Sequence, residues 1–226
     1  TAGRSDQTIL MKSAKIIILA GLLVIAAGCA RTVTSIVDFG ETMVVEVTLR
    51  GTINYNANRY FLVLSDKAAF KIPLPSPYVD LSSPEFLEPG MTPTLGSIEA
   101  YYSNYYSTWS GFIEADPAGY ELVPGPFILG AATTKESLGN YGTIGAKLNF
   151  TFNLAKVFGA ALPDKIYFDI VAVPWPDGLA KIPDDHLNST NAYISKISGS
   201  TASFSDPVDE SVAAERDILT LQVEIQ

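Results

Sequence analysis

Cysteine occurs once in the 226 residues, at Cys29, and histidine once, at His186. A single cysteine excludes an internal disulfide and any cysteine-built zinc cluster, which needs several thiolates at defined spacing. A single histidine means that every Ser/His/Asp arrangement would have to use His186, and no Gly-x-Ser-x-Gly elbow occurs. Charged residues are also scarce, at 17%, and the net charge is −9. With no basic run and an acidic balance, the chain has no electrostatic footprint for nucleic acid. A fixed-period repeat and a βαβ alternation are both missing, which excludes solenoids and parallel α/β folds.

Apolar residues make up 47% of the chain, and one apolar run stands apart. Residues 1–10 have no readable pattern. From Met11, two lysines (Lys12 and Lys15) precede the apolar stretch Ile16–Ala27, and Gly28 and Cys29 follow. A basic start, an apolar stretch of roughly 7–15 residues and a small-residue end make a secretory signal. The stretch is shorter than the roughly 20 residues of a membrane-spanning helix.

The segment Val24-Ile25-Ala26-Ala27-Gly28-Cys29 resembles the lipobox of bacterial lipoproteins, matching at Ala27, Gly28 and Cys29 and departing at Ala26, where the family usually carries Leu. The resemblance implies a diacylglycerol thioether on Cys29, cleavage after Gly28 and acylation of the new N-terminus. The expected partner is then a membrane, held through two or three acyl chains, since one chain alone binds weakly. Ala30 follows Cys29 instead of Asp, which in a two-membrane envelope resembles lipoproteins sent to the outer membrane. After cleavage, 12 basic and 23 acidic residues remain, a charge of −11. The expected organisation is residues 1–28 as upstream residues plus removed signal, 29–34 as a short lipidated tether, and 35–226 as one domain.

Within that domain, Thr42–Arg50 alternates, with Met43, Val45, Val47 and Leu49 on one side, as in a half-buried strand. Strand-like sequence begins by about Thr32. Further strands are expected at 59–64, 97–102, 107–114, 120–123, 144–152, 165–173, 192–197, 201–204 and 217–225, with a helical turn within 207–216. Asn153 reads as the N-cap of a short helix over 154–158 closed by Gly159. Six prolines between Pro73 and Pro93 exclude a central strand there. Ile72, Leu74, Phe86 and Leu87 make that segment too apolar for free disorder, so it should pack over a sheet face or edge. Short strands divided by Gly, Pro, Asn and Asp turns predict an all-β fold: a single antiparallel β-sandwich, jelly-roll-like, preceded by the signal-peptide helix. The layout of Val44–Ser65 and then Leu148–Val173 with its short helix looks like β-sandwich lipoproteins of unknown function. Those are similar to the DOMON and family-nine carbohydrate-binding sandwiches, and no ligand residue carries over from them.

Chemistry-bearing residues are few. Asp184, Asp185 and His186 form a polar turn, expected to be solvated and not to hold a metal. Asp169 interrupts an apolar strand and is expected to meet solvent or a buried hydrogen bond. Tyr101, Tyr102, Tyr105, Tyr106 and Trp109 crowd into nine positions. Part of this set is expected in the core and the rest around a hairpin tip at 103–107, where exposed rings make platforms for sugars, peptides or proteins. Tyr102, Tyr105, Tyr106 and Trp109, with Trp175 between two prolines, are therefore the candidate ligand-binding residues. No catalytic residue, metal ligand or cofactor is expected. The function expected is a non-enzymatic envelope lipoprotein that binds a ligand or partner, such as a glycan or an envelope protein. The alternatives are a structural component of an envelope assembly and, third, a hydrolase.

Overall fold

The computed structural model describes residues 39–75, 85–189 and 192–226. The signal, Gly28, Cys29, the tether and the strand start at Thr32 lie outside these residues.

Two antiparallel sheets form the domain. The smaller contains β10 (Thr201–Ser205), β11 (Ile218–Ile225), β1 (Thr42–Leu49) and β6 (Lys147–Asn153), in that spatial order. The larger runs β5 (Glu136–Gly139), β4 (Gly119–Pro124), β3 (Gly111–Asp116), β2 (Asn58–Ser65), β7 (Lys165–Pro174) and β8 (Asp185–His186), and β9 (Tyr193–Ser195) also pairs with β7. The strands β2 to β5 are a meander, each beside the next.

The small sheet follows from alternation. In β1 every second residue is buried, and Met43, Val45, Val47 and Leu49 face the larger sheet while Val44, Glu46 and Thr48 face away. Across the interface stand Tyr60, Leu62 and Leu64 of β2 and Ile166, Phe168 and Ile170 of β7. The result is one apolar layer between two sheets, as in a β-sandwich.

The large sheet obeys a different rule. Residues 60–64 read Tyr-Phe-Leu-Val-Leu and 170–173 read Ile-Val-Ala-Val, and all of these are buried. Continuous apolar runs mark strands covered on both faces. Register places Val63 opposite Phe112 and Asp169, Phe61 opposite Glu114 and Val171, and Phe112 opposite Val123. Phe61, Val63, Phe112, Val123, Val171 and Val173 thus form a second apolar face pointing away from the small sheet. It is covered by Ile72, Phe86 and Leu87 of the proline-rich stretch and by Tyr101, Tyr105, Tyr106 and Trp109. The apolar content of residues 72–87 predicted this role, and residues 76–84 lie outside the described residues.

The cover corrects one expectation. Residues 97–102 are not a strand: helix α1 spans Ile98–Asn104, with the Ser97 hydroxyl accepting from the Ala100 N–H at 3.2 Å. A three-residue 3-10 turn, Tyr106–Thr108, follows, so β3 starts at Gly111 and not at 107. Ile98, Tyr101, Tyr102, Tyr105, Tyr106 and Trp109 recur at three- and four-residue steps, the spacing of one helical face. The β-propensity of tyrosine and tryptophan masks that spacing.

Local caps act where expected. The Asn153 side chain accepts from the Ala155 N–H at 2.8 Å, ahead of the short helix α2 (Ala155–Phe158). Gly159 then ends it with φ of 72°, a left-handed conformation that glycine adopts without strain. Residues 207–216 are turns held from outside by Arg50, whose guanidinium bonds Asp217, Glu210 at 3.1 Å and the Val212 carbonyl at 2.6 Å.

Phe61 is fully buried and stacks on Phe86 at 4.5 Å between ring centroids. Phe61→Ala is expected to cost about 3–5 kcal/mol in chemical denaturation. It should also make residues 85–109 the first site of limited proteolysis. Leu62→Ala, on the inner face, should cost about 2–5 kcal/mol without that local cleavage.

Candidate functional site

The cover over the large sheet is not seamless. Between the end of the proline-rich stretch (Pro89, Gly90), α1 (Ile98, Tyr102) and the loop 124–134 after β4 lies a groove of about 650 Å³. Its walls are mainly apolar, from Ile98, the Tyr106 ring, Phe127, Ile128, Leu129 and three prolines, with Tyr102, Thr133 and Thr134 the polar side chains among them. Ile128 and Leu129 are 61% and 46% exposed at its lip. Both the volume and the mix of apolar walls with a few polar groups match small-molecule sites, which span roughly 300–1,000 Å³.

The candidate aromatics divide over this site. Tyr102, half-buried on α1, and Tyr106 line the groove. Tyr105, Tyr106 and Trp109 are buried in the cover, so they are not exposed platforms at a hairpin tip. Their polar atoms hold the cover together. The Trp109 indole N–H donates to the Lys71 carbonyl at 2.7 Å, and the Tyr106 hydroxyl lies 3.3 Å from the Leu87 carbonyl. Desolvation drives the Tyr106 phenol well above its ordinary range, so it stays a neutral donor. Trp175 lies apart from the groove lining. It is half-buried, 5.6 Å from Phe61, with the Arg59 guanidinium and the Lys181 ammonium each 5.6 Å from its ring. Its faces are engaged by its own chain.

An ionic cluster flanks the groove through the neighbours of its lining residues. The Lys135 ammonium, next after Thr134, lies 2.6 Å from Glu114, 2.8 Å from Glu88 and 3.1 Å from Glu121. Glu114 sits on the outer face of β3 opposite Glu121 of β4, and Arg59 approaches it at 3.5 Å. Carboxylate oxygens of Glu114, Asp116 and Glu121 lie within 4.8 Å of one another, a spacing compatible with a cation. Lys135 is already that cation. Asp116 is further committed to the tight turn into β4, accepting from the Ala118 N–H at 2.7 Å. Gly119, at φ of 135°, completes that turn where a Cβ would lie 2.5 Å from the Gly139 carbonyl oxygen. Burial, then repulsion from Glu88, pushes the Glu114 carboxyl up to about 7 against the pull of Lys135. Burial opposes the charge on Lys135, but its hydrogen bonds to Glu114 and Glu88 prevail and hold it above the usual lysine range.

A second pairing falls at the other side of the same face. His186, expected in a solvated turn, lies in β8 opposite Val171, and its Nδ1 is 3.1 Å from the Asp169 carboxylate. The Leu187 N–H donates to the other Asp169 oxygen at 3.2 Å. Asp169 therefore meets its need for hydrogen bonds within the fold. Burial alone would lower His186, but Asp169, with Asp185 and Asp206 nearby, raises it above its ordinary value. Burial raises Asp169 in turn, offset by the imidazole. The two residues stand as a base and its orienting acid do in a triad, yet a triad also needs a nucleophile within hydrogen-bond reach of the imidazole. What the pair visibly does is fasten β8 to β7. Asp184, from the same turn, pairs with Arg216 at 2.6 Å. Sequence separation of 17 residues hid the Asp169–His186 contact, and only the β7–β8 register brings it about.

No family model, no curated protein and no solved structure matches the chain.

Glu114 sets a pH test. A carboxyl whose folded pKa lies above its unfolded 4.5 binds more protons when folded, so its contribution is full below about 4.5 and is lost as pH rises through about 7. Wild-type stability to urea should fall between pH 5 and pH 8. Glu114→Gln should flatten that fall by on the order of 2–3 kcal/mol while Glu88 and Glu121 continue to bind Lys135. An unchanged pH profile in the variant would contradict the assignment.

Proposed function

We propose that this protein is an exported, lipid-anchored envelope protein without a catalytic role, whose sandwich holds an apolar or amphiphilic ligand in the groove beside α1. The observation that carries the reading is the groove itself, about 650 Å³ with apolar walls and a few tyrosine and threonine polar groups. Proline, isoleucine and leucine walls suit an acyl or other apolar moiety better than a free glycan, which needs open aromatic faces and many hydrogen bonds. The rings that sequence alone offered as such faces are largely spent in the cover. The anchor rests on the lipobox resemblance at Cys29, and in an envelope with two membranes Ala30 points to the outer one. Among the described residues, no helix is long and apolar enough to cross a membrane.

A role as an assembly component draws on Ile128 and Leu129, which stand exposed at the groove's lip as a partner protein's apolar side chains would require. The two readings part in one experiment. Full-length protein, purified from membranes, is assayed for displacement of a fluorescent apolar probe by fatty acids and phospholipids, beside Leu129→Asp and Tyr102→Ala. Saturable binding weakened about tenfold by either change, with unaltered thermal unfolding, is the expected result. No binding, together with photocrosslinking from position 128 to another protein, would replace the ligand reading with the assembly reading.

A further inference from the structure

The outer face of the large sheet extends beyond its cover. In β7, Val171 and Val173 point outward beneath the cover, and by the two-residue period Lys165 and Tyr167 point the same way. Pairing with β9 sets Tyr193 opposite Tyr167 and Ser195 opposite Lys165. Ile197, two residues further on, forms a bridge with Phe39. Phe39, Tyr193 and Ile197 are 54%, 42% and 43% exposed. Two ammonium groups stand over these rings: Lys165 Nζ lies 4.3 Å from the centre of Tyr193, and Lys196 Nζ 4.7 Å from that of Phe39. The rings of Tyr167 and Tyr193 are 5.6 Å apart.

This combination is unusual on a body with 23 acidic and 12 basic residues after residue 28. Exposed aliphatic and aromatic side chains with long-stemmed lysines are the chemistry of a membrane interface, where rings sit at headgroup level and ammonium groups reach phosphates. Lys196, only 16% exposed, is held by Asp164 at 3.1 Å and by the Leu162 carbonyl at 2.9 Å, so Lys165, which is exposed, is the ammonium open to a headgroup phosphate.

The position of the patch in the chain names its partner. Phe39 is ten residues beyond Cys29, so at about 3.4 Å per residue it lies no more than roughly 34 Å along the chain from the lipidated atom. The patch includes Phe39, the first of the described residues.

We infer that Phe39, Tyr193 and Ile197, with Lys165, form the face on which the anchored domain rests against an anionic bilayer. The inference depends on the lipobox reading of Cys29 made above.

The test uses the full chain, expressed with its signal and reconstituted into phosphatidylethanolamine–phosphatidylglycerol vesicles. Acylated Cys29 carries no free thiol, so a nitroxide attaches only to an introduced cysteine, Ile197→Cys or, as control, Ser203→Cys on the outer face of the small sheet. Collisions with oxygen, which concentrates in lipid, are compared with those of a water-soluble nickel chelate. The expected result is several-fold preference for oxygen at 197 and for nickel at 203, with the 197 label moving into water when Lys165→Glu is added. A 197 label in water on protein that stays with the vesicles would overturn the resting face and leave the anchor standing. Protein that does not float with the vesicles would overturn the anchor and the face together. A 197 label shielded from both reagents would overturn the lipid contact in favour of a protein partner.

Discussion

The structure depends on the burial of two faces of one sheet. The small sheet closes the inner face of β2 and β7, and their continuous apolar runs demand a second lid. Without it, Phe61, Val63, Phe112 and Val171 would meet water, at about 25 cal/mol for each Å² of apolar surface. The chain answers with residues 72–75 and 85–109, whose apolar side chains and rings supply the bulk. The aromatic crowding between 101 and 109 is thus first a packing requirement. Any binding at the groove is a use of the seam where the proline-rich stretch, α1 and the loop after β4 fail to meet fully.

The same constraint orders the charges. Polar side chains on the outer face fall to either side of the apolar centre, and each is paired there because an unpaired buried charge is costly. Glu114, Glu121 and Glu88 share the ammonium of Lys135 on one side. Asp169 takes His186 and the Leu187 N–H on the other. The acidic cluster and the His–Asp pair both complete a sheet face in this fold. The outward side chains left without cover lie at the β7–β9 end, where the basic and aromatic patch begins.

Much of the strand pattern was legible in residue order. Alternation in 42–50 and 144–152 marked β1 and β6 and their inner faces, although β6 starts only at Lys147, and the apolar run at 165–173 marked β7. Asn153 and Gly159 marked the short helix. The run at 59–64 reads from sequence only as a strand; its unbroken apolar character gains its meaning, cover on both faces, once the proline-rich stretch is placed over it. What misled was the chemistry of tyrosine: 98, 101, 102, 105 and 109 keep helical spacing behind a serine cap, but rings favour strands in general, and the segment reads as strand and hairpin tip. Strands β5 and β8 are short and exposed or polar, so their pairing comes from neighbours and leaves no periodic trace. The candidate site was partly legible. Tyr102 and Tyr106 do line the groove, whereas Pro124–Thr134 gave no signal because loops carry none until their neighbours are placed. Lys135 and its carboxylates, like Asp169 and His186, meet only through strand register.

The central claim is that residues 98–109 belong to the core of the domain and are not an appended surface segment. Native-state hydrogen exchange on the full-length protein tests it most directly. The amides of Tyr101, Tyr105 and Trp109 are expected to exchange slowly, with protection within about an order of magnitude of that in β2 and β7. Exchange at the rate of an unfolded chain across 98–109, while Phe61 to Leu64 stay protected, would contradict it and would mean that the large sheet stands without its second layer.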